Sequence, residues 1–175
     1  MFYRNWRYAI RVRCVFVKVN SEISPSVIIR QYTSSVRTIQ DSLFIMTLTL
    51  ALLTTSLLFG GMTLFSFSFA AFLFSVLPPD MARQAIRRVF PYFYLFVILT
   101  AFVASLLLWP IDRVSFGLLV FVMTTAVISR QILMPAINHA TDAEMKIRFK
   151  WLHALSVALT LLHIGLSGWI LARFV

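Results

Sequence analysis

The chain has 175 residues, of which 60% are hydrophobic, 15% aromatic and only 13% charged, and its mean hydropathy is positive. A soluble domain of this length leaves a large share of its surface in water, and this composition has too few polar residues to cover it. One membrane domain is the reading that composition leaves.

The formal net charge of +10 raises nucleic acid as a partner. Residues 1–41 hold seven Lys/Arg and two acids, and residues 42–175 hold nine and four, so each part is +5. In the second part the charges fall in short clusters between apolar runs, the pattern of cytoplasmic loops. No basic motif interleaved with stacking aromatics occurs, so no nucleic acid is expected. The expected partners are the lipid bilayer and, within it, a membrane-protein partner or a second copy. Cys14 is the sole cysteine, which excludes an intrachain disulfide and a thiolate metal cluster.

Residues 1–41 read as a basic extension, amphipathic or poorly ordered. Arg4, Arg7, Arg11 and Lys18 fall within about 60° of one another on a helical wheel, as in a basic helix lying on an anionic membrane. The alternation in RVRCVFVKV suits a strand nearly as well. No apolar h-region with a small-residue cleavage site is present; an Arg-rich organellar presequence is an alternative. Residues 20–41 read as a linker. A second reading sets residues 1–45 outside the native product, because Met46 directly precedes the first membrane-grade run.

The membrane domain, 42–175, is predicted to hold helices near 43–77, 89–109, 115–134 and 142–173. From Leu43 to Leu77 there are 35 residues without a charge, roughly 52 Å as one helix against a hydrocarbon core of about 30 Å. One protruding helix is favoured, with Ser56, Gly60, Gly61 and Thr63 as its close-packing residues. A turn at Gly60-Gly61 would instead make five crossings.

Pro78-Pro79 ends that helix, and Asp80 is expected to cap a short amphipathic turn, MARQAIRRV. The second helix follows, with Pro91 in its first turns, and Tyr92, Tyr94 and Trp109 placed as an aromatic belt. Pro110 to Arg113 is a tight connection that makes the second and third helices antiparallel neighbours. Pro135 is expected to stop the third helix, leaving 135–141 as a loop with His139 solvated in it. Thr141 and Glu144 match a T-x-x-E capping box opening the fourth, with Asp142 favouring its N-terminal dipole.

With four crossings, loops 78–90 and 130–150 carry seven basic residues and the opposite ends carry Arg113 and Arg173, which puts those loops in the cytoplasm. The seven basic residues of 1–41 then lie outside. Either that extension is not retained, or the fifth crossing exists.

On the fourth helix, His153, Thr160, His163 and Ser167 all fall within about 60° of Ser156 on the wheel. Such a polar stripe is unfavourable against lipid and should face the bundle, with the small-residue face of the first helix as its expected neighbour. His153 and His163 are about 15 Å apart along the axis and do not share one metal. Each is a candidate cofactor or metal ligand only with partners from elsewhere, a haem iron or a copper ion being the alternative to a structural role; otherwise no cofactor is predicted. No Ser-His-acid set, Walker loop, G-x-G-x-x-G or buried carboxylate pair occurs, so no enzymatic activity is expected.

The chain resembles the transmembrane protein 205-like family, also called domain of unknown function 4149. The resemblance lies in Gly60-Gly61 within an aromatic first helix, the F-x-x-L-P turn (Phe74, Leu77, Pro78), Phe90, the R-Q-I-L-M-P run (Arg130 to Pro135) and F-K-W-L-H-A-L-S-V (Phe149 to Val157). It covers about Met46 to Arg173, with L-H-x-x-S its most specific part, and leaves the extension unmatched. The resemblance implies a four-helix membrane protein without an established activity. The expectation is therefore an all-α, integral membrane four-helix bundle of a bacterial inner membrane, structural or interacting in role, with a small permease or transporter subunit as a further alternative.

Overall fold

A computed structural model of the chain describes residues 25–174. The chain divides into two units, Met1–Gln40 and Asp41–Val175. Of the first, the described residues are helical from Pro25 onward: Pro25 sits at the first helical position, where its missing N–H costs nothing, and neither Gly nor Pro follows for many residues. The amphipathic reading of Arg4 to Lys18 lies outside the described residues.

The elements are α1 (Pro25–Leu64), a π-helical turn (Phe65–Phe69), α2 (Ala70–Val76), α3 (Pro79–Leu108), α4 (Arg113–Ile128), a second π-helical turn (Ser129–Leu133), α5 (Met134–Asp142) and α6 (Lys146–Ala172). They join into four helices long and apolar enough to cross a membrane, Ile29–Val76, Pro79–Leu108, Arg113–Asp142 and Lys146–Ala172. No strand occurs among the described residues. The fold is an all-α membrane bundle.

The first rod runs straight through Gly60-Gly61 as helix, so the fifth crossing is not formed. A turn there would leave backbone groups unsatisfied in an apolar stretch, whereas the helix satisfies them within itself. Its buried line is Ala51, Thr55, Leu58 and Met62. Ser56 and Gly60 are exposed, and nothing lies within 4 Å of where a Gly60 Cβ would be. Leu58 and Met62 offer more surface to bury than Ser and Gly, and that decides which face turns inward. Thr63 is half-buried, its hydroxyl donating to Phe59 O. Gly61 alone of the expected four makes a close approach: a Cβ there would lie 2.6 Å from the Phe96 ring of α3. Beyond it Phe65 stacks on Phe93 at 4.1 Å with Phe90 edge-on.

Pro78-Pro79 does interrupt the chain. α3 then starts at once and runs unbroken past Pro91, ten residues earlier than the second helix was expected. Ala82 is buried, so MARQAIRRV has an apolar side to pack and continues the rod instead of forming a separate turn. Asp80 lies in the first turn, not at the N-cap, and pairs with Arg83 at 3.3 Å.

Pro135 does not stop the third rod either. The π-helical turn Ser129–Leu133 immediately precedes it, and such a widened turn accommodates a ring that lacks an N–H inside a membrane helix. Residues 135–141 are therefore helix, and His139 is an exposed residue of α5.

The capping box is absent. Thr141 Oγ1 donates to Ile137 O within α5. Glu144 takes a left-handed φ of 54°, Met145 N–H reaches Ala140 O at 2.9 Å and Glu144 N–H reaches Thr141 O at 3.2 Å. This is a Schellman turn closing α5. α6 starts only at Lys146, with no side-chain cap at Met145. Asp142 consequently ends one helix instead of opening the next, and its carboxylate accepts from Arg87 Nη2 at 2.6 Å.

A candidate polar seam among α3, α4 and α6

Ser156, His163 and Ser167 are buried on α6 and Thr160 is half-buried, because the steps of seven and four residues keep them on one helix side. His153 is exposed and stacks over Phe149, ring centroids 5.5 Å apart. It lies at the edge of the stripe and at the basic end of the helix, where its ring can leave the interior. The stripe is therefore four residues deep rather than five.

Its partners are on α3 and α4, not on the first rod as expected. Tyr94 Oη lies 3.4 Å from Ser156 Oγ, so Tyr94 is a buried core residue, and Tyr92 and Trp109 are left of the expected aromatic belt. Ser129, in the second π-helical turn, is also buried. Deeper in, His163 Nε2 meets Thr125 Oγ1 at 2.7 Å. Thr125 Oγ1 is also 2.7 Å from Phe121 O. The arrangement that uses both contacts has Nε2–H donating to Thr125 and the Thr125 proton going to Phe121 O.

Thr160 and Ser167 return their hydroxyls to their own helix, at Ser156 O and His163 O. Among the described residues no fully buried side-chain nitrogen or oxygen lacks a partner. The first rod meets α6 through packing alone, with Gly168 admitting the Phe59 ring: a Cβ there would sit 3.1 Å from it.

Two charged contacts close the ends. At one, Arg87 holds Asp142 and reaches Asn138 O at 3.4 Å. At the other, Asp112 caps α4 through Val114 N–H and Ser115 N–H, accepts from Ser115 Oγ at 2.5 Å and pairs with Arg173 at 3.2 Å. Arg113 lies over Trp109 at 4.2 Å and Arg173 over Trp169 at 5.0 Å. The Ser115 hydroxyl, followed by the two backbone N–H groups and Arg173, holds the Asp112 carboxyl below its ordinary value against the opposing effect of burial. The sequence does not single out Ser129 and Thr125, and it assigns Tyr94 to the aromatic belt instead of the interior. Thr125 follows Thr124, and Ser129 precedes Arg130 and Gln131, so nothing local marks either as inward-facing.

Among the described residues no three His, Cys, Asp or Glu side chains converge as a metal site. A haem iron or copper ion at His163 Nε2 would have to displace Thr125.

A family model described as domain of unknown function (DUF4149) matches residues 53–146, a little over half the chain. This chain belongs to that family. The matched residues include Gly60-Gly61, the Pro78-Pro79 break, α3, α4 and the second π-helical turn. F-K-W-L-H-A-L-S-V and all of the seam contributed by α6 lie beyond them. No curated protein and no solved structure matches the chain.

Proposed function

We propose that this chain is a non-enzymatic integral protein of a bacterial inner membrane, with a structural or interaction role that depends on α3, α4 and α6 being held in one register. The observation that carries this reading is His163: its Nε2 is engaged by Thr125, and its buried neighbours are satisfied within the bundle. Polar groups in a membrane interior that are all engaged with one another act as inter-helix ties.

The test is to purify the full chain in mild detergent after supplementing the culture with copper and haem, and to record metal content and a Soret spectrum beside thermal melts of His163→Gln and His163→Ala. A colourless, metal-free protein, stable as His163→Gln and weakened as His163→Ala, is expected, since the glutamine amide can still reach Thr125. Stoichiometric metal or a Soret band lost in both variants would replace this reading with a cofactor site. Substrate flux in proteoliposomes above that of empty vesicles would replace it with a permease.

The seven basic residues in 78–90 and 130–150 support a cytoplasmic placement of that end. Gln84, exposed on α3, tests it: a cysteine there, in a Cys14→Ser background, should resist an impermeant thiol reagent in intact cells. Labelling would reverse the orientation, as the seven bases of residues 1–41 would have it.

A further inference from the structure

The two ends of the bundle differ in how their cations are matched. At one end Arg173 has Asp112 and Arg113 has the Trp109 face. At the other, Arg83 and Arg87 take Asp80 and Asp142, but Arg88, Lys146, Arg148 and Lys150 form no salt bridge among the described residues. The first turn of α6 contains no acidic residue.

Helix α6 also carries its own depth markers. Trp151 and Trp169 are both exposed, 76% and 50%, and lie five turns apart, so they share a face and are separated by about 27 Å along the axis. That is close to the hydrocarbon thickness of about 30 Å, and tryptophans of this kind gather at both interfaces. On α3, Trp109 and the 73% exposed Tyr92 repeat the spacing at about 26 Å. The Asp112–Arg173 contact puts Trp109 and Trp169 at the same end, so Tyr92 and Trp151 mark the other.

Lys150, Arg148 and Lys146 then lie up to about 8 Å beyond Trp151, in the headgroup layer, which is about 5–8 Å deep on each side. Around the helix, Ile147 and Trp151 form the outermost ridge, 77% and 76% exposed. Lys146 and Lys150 flank it on one side and Arg148 on the other. Topological sorting accounts for cations in a loop. Interfacial preference accounts for Trp151, but neither calls for Ile147, 77% exposed, to be turned outward among the cations at headgroup depth, whereas a lipid with a charged head and apolar chains contacts both.

We propose that the first two turns of α6 form a site for an anionic phospholipid headgroup, its phosphate among Lys146, Lys150 and Arg148 and an acyl chain over Trp151 and Leu155. The site rests on the bilayer crossing, not on the structural role or the sidedness proposed above.

The test titrates the full chain in zwitterionic detergent with phosphatidylglycerol or phosphatidylcholine and counts retained lipid by native mass spectrometry. Phosphatidylglycerol should be retained preferentially, and its affinity should fall about fivefold for each charge removed in Lys146→Gln, Arg148→Gln and Lys150→Gln and further with added salt. Arg113→Gln at the opposite end should leave it unchanged, as should Lys146→Arg with Lys150→Arg. Should the triple variant fail to fold, the Lys146→Gln/Lys150→Gln pair is read in its place. Equal retention of phosphatidylcholine, an unaffected charge variant, or full displacement by soluble glycerol phosphate would overturn the site. Carbonate stripping of the wild-type chain from vesicles would refute the crossing itself, whereas an integral chain without lipid preference refutes the site alone.

Discussion

Thr125 and His163 meet across the α4–α6 interface with Oγ1 2.7 Å from Nε2, and this is the shortest side-chain contact that joins α6 to another helix in the seam. Its strength is limited, since either group would find other partners in an unassembled bundle; inter-helix hydrogen bonds in bilayers average about 0.6 kcal/mol and reach about 1.7. A double-mutant cycle of Thr125→Val and His163→Leu, read by thermal melting in detergent, should give a coupling in that range. The direction is fixed: Thr125→Val should cost less in the His163→Leu background than in the wild type. Additive effects would mean that the two side chains are neighbours without a bond.

Gly60 and Gly61 are adjacent in sequence and opposite in consequence. Replacing either by Ala gains up to about 1 kcal/mol of helix propensity, so the difference between the two variants isolates their surroundings. Gly60→Ala meets open space, while Gly61→Ala forces the Phe96 ring to move, and overpacking of this kind costs about 1–3 kcal/mol. Gly60→Ala should melt at or above the wild type and Gly61→Ala below Gly60→Ala. The reverse order would place the α1–α3 contact on the other face.

How much of this arrangement a sequence reveals depends on which force decides each feature. Burial in a bilayer is a bulk property, so the number of rods and the break at Pro78-Pro79 follow from runs of apolar residues. The face of α6 carrying Ser156, Thr160, His163 and Ser167 follows equally from a helical period. Which helix that face meets does not: Thr125 and Tyr94 carry no local mark of it until α3 and α4 are set beside α6. Local signals misled where a tertiary or backbone adjustment overrode them. Pro135 reads as a stop because its ring lacks an N–H, yet a π-helical turn before it absorbs the defect. Thr141 and Glu144 read as a cap, yet the preceding helix had already taken Thr141. On the first rod the small residues Ser56 and Gly60 suggested an interface that Leu58 and Met62 occupy by virtue of their size.

Glu144 is the one non-glycine residue with positive φ among the described residues, at the position of a Schellman turn that glycine usually fills. A left-handed conformation costs an L-residue about 1–2 kcal/mol, and the greater freedom of an unfolded glycine offsets part of the relief. Glu144→Gly should raise the melting temperature modestly, and Glu144→Val, β-branched at the same φ, should lower it. Equal melting of the two would mean that α5 and α6 are joined by a different turn.

Asp112 gathers three contacts at the opposite end of the bundle: the N-cap of α4, the Ser115 hydroxyl and Arg173. All three favour the carboxylate, with Ser115 the largest, so the folded chain holds this group below its ordinary 3.8. The unfolded chain therefore takes up the proton first. The stability contributed by Asp112 is fully present above about pH 4 and is lost as pH falls toward and through the lower folded value. Asp112→Asn keeps an N-cap of comparable quality but loses the charge that strengthens the Ser115 bond, together with the ion pair, which is partly exposed and adds at most about 1 kcal/mol. Asp112→Ala loses the cap as well, about 1 kcal/mol more. Thermal melts in detergent should rank wild type above Asp112→Asn above Asp112→Ala at neutral pH. On acidification the other carboxylates titrate alike in all three proteins, so the gap between wild type and Asp112→Asn should close below pH 4. A gap that persists unchanged to low pH would mean that the Asp112 carboxylate contributes nothing through its charge, and that Arg173 is held by Trp169 alone.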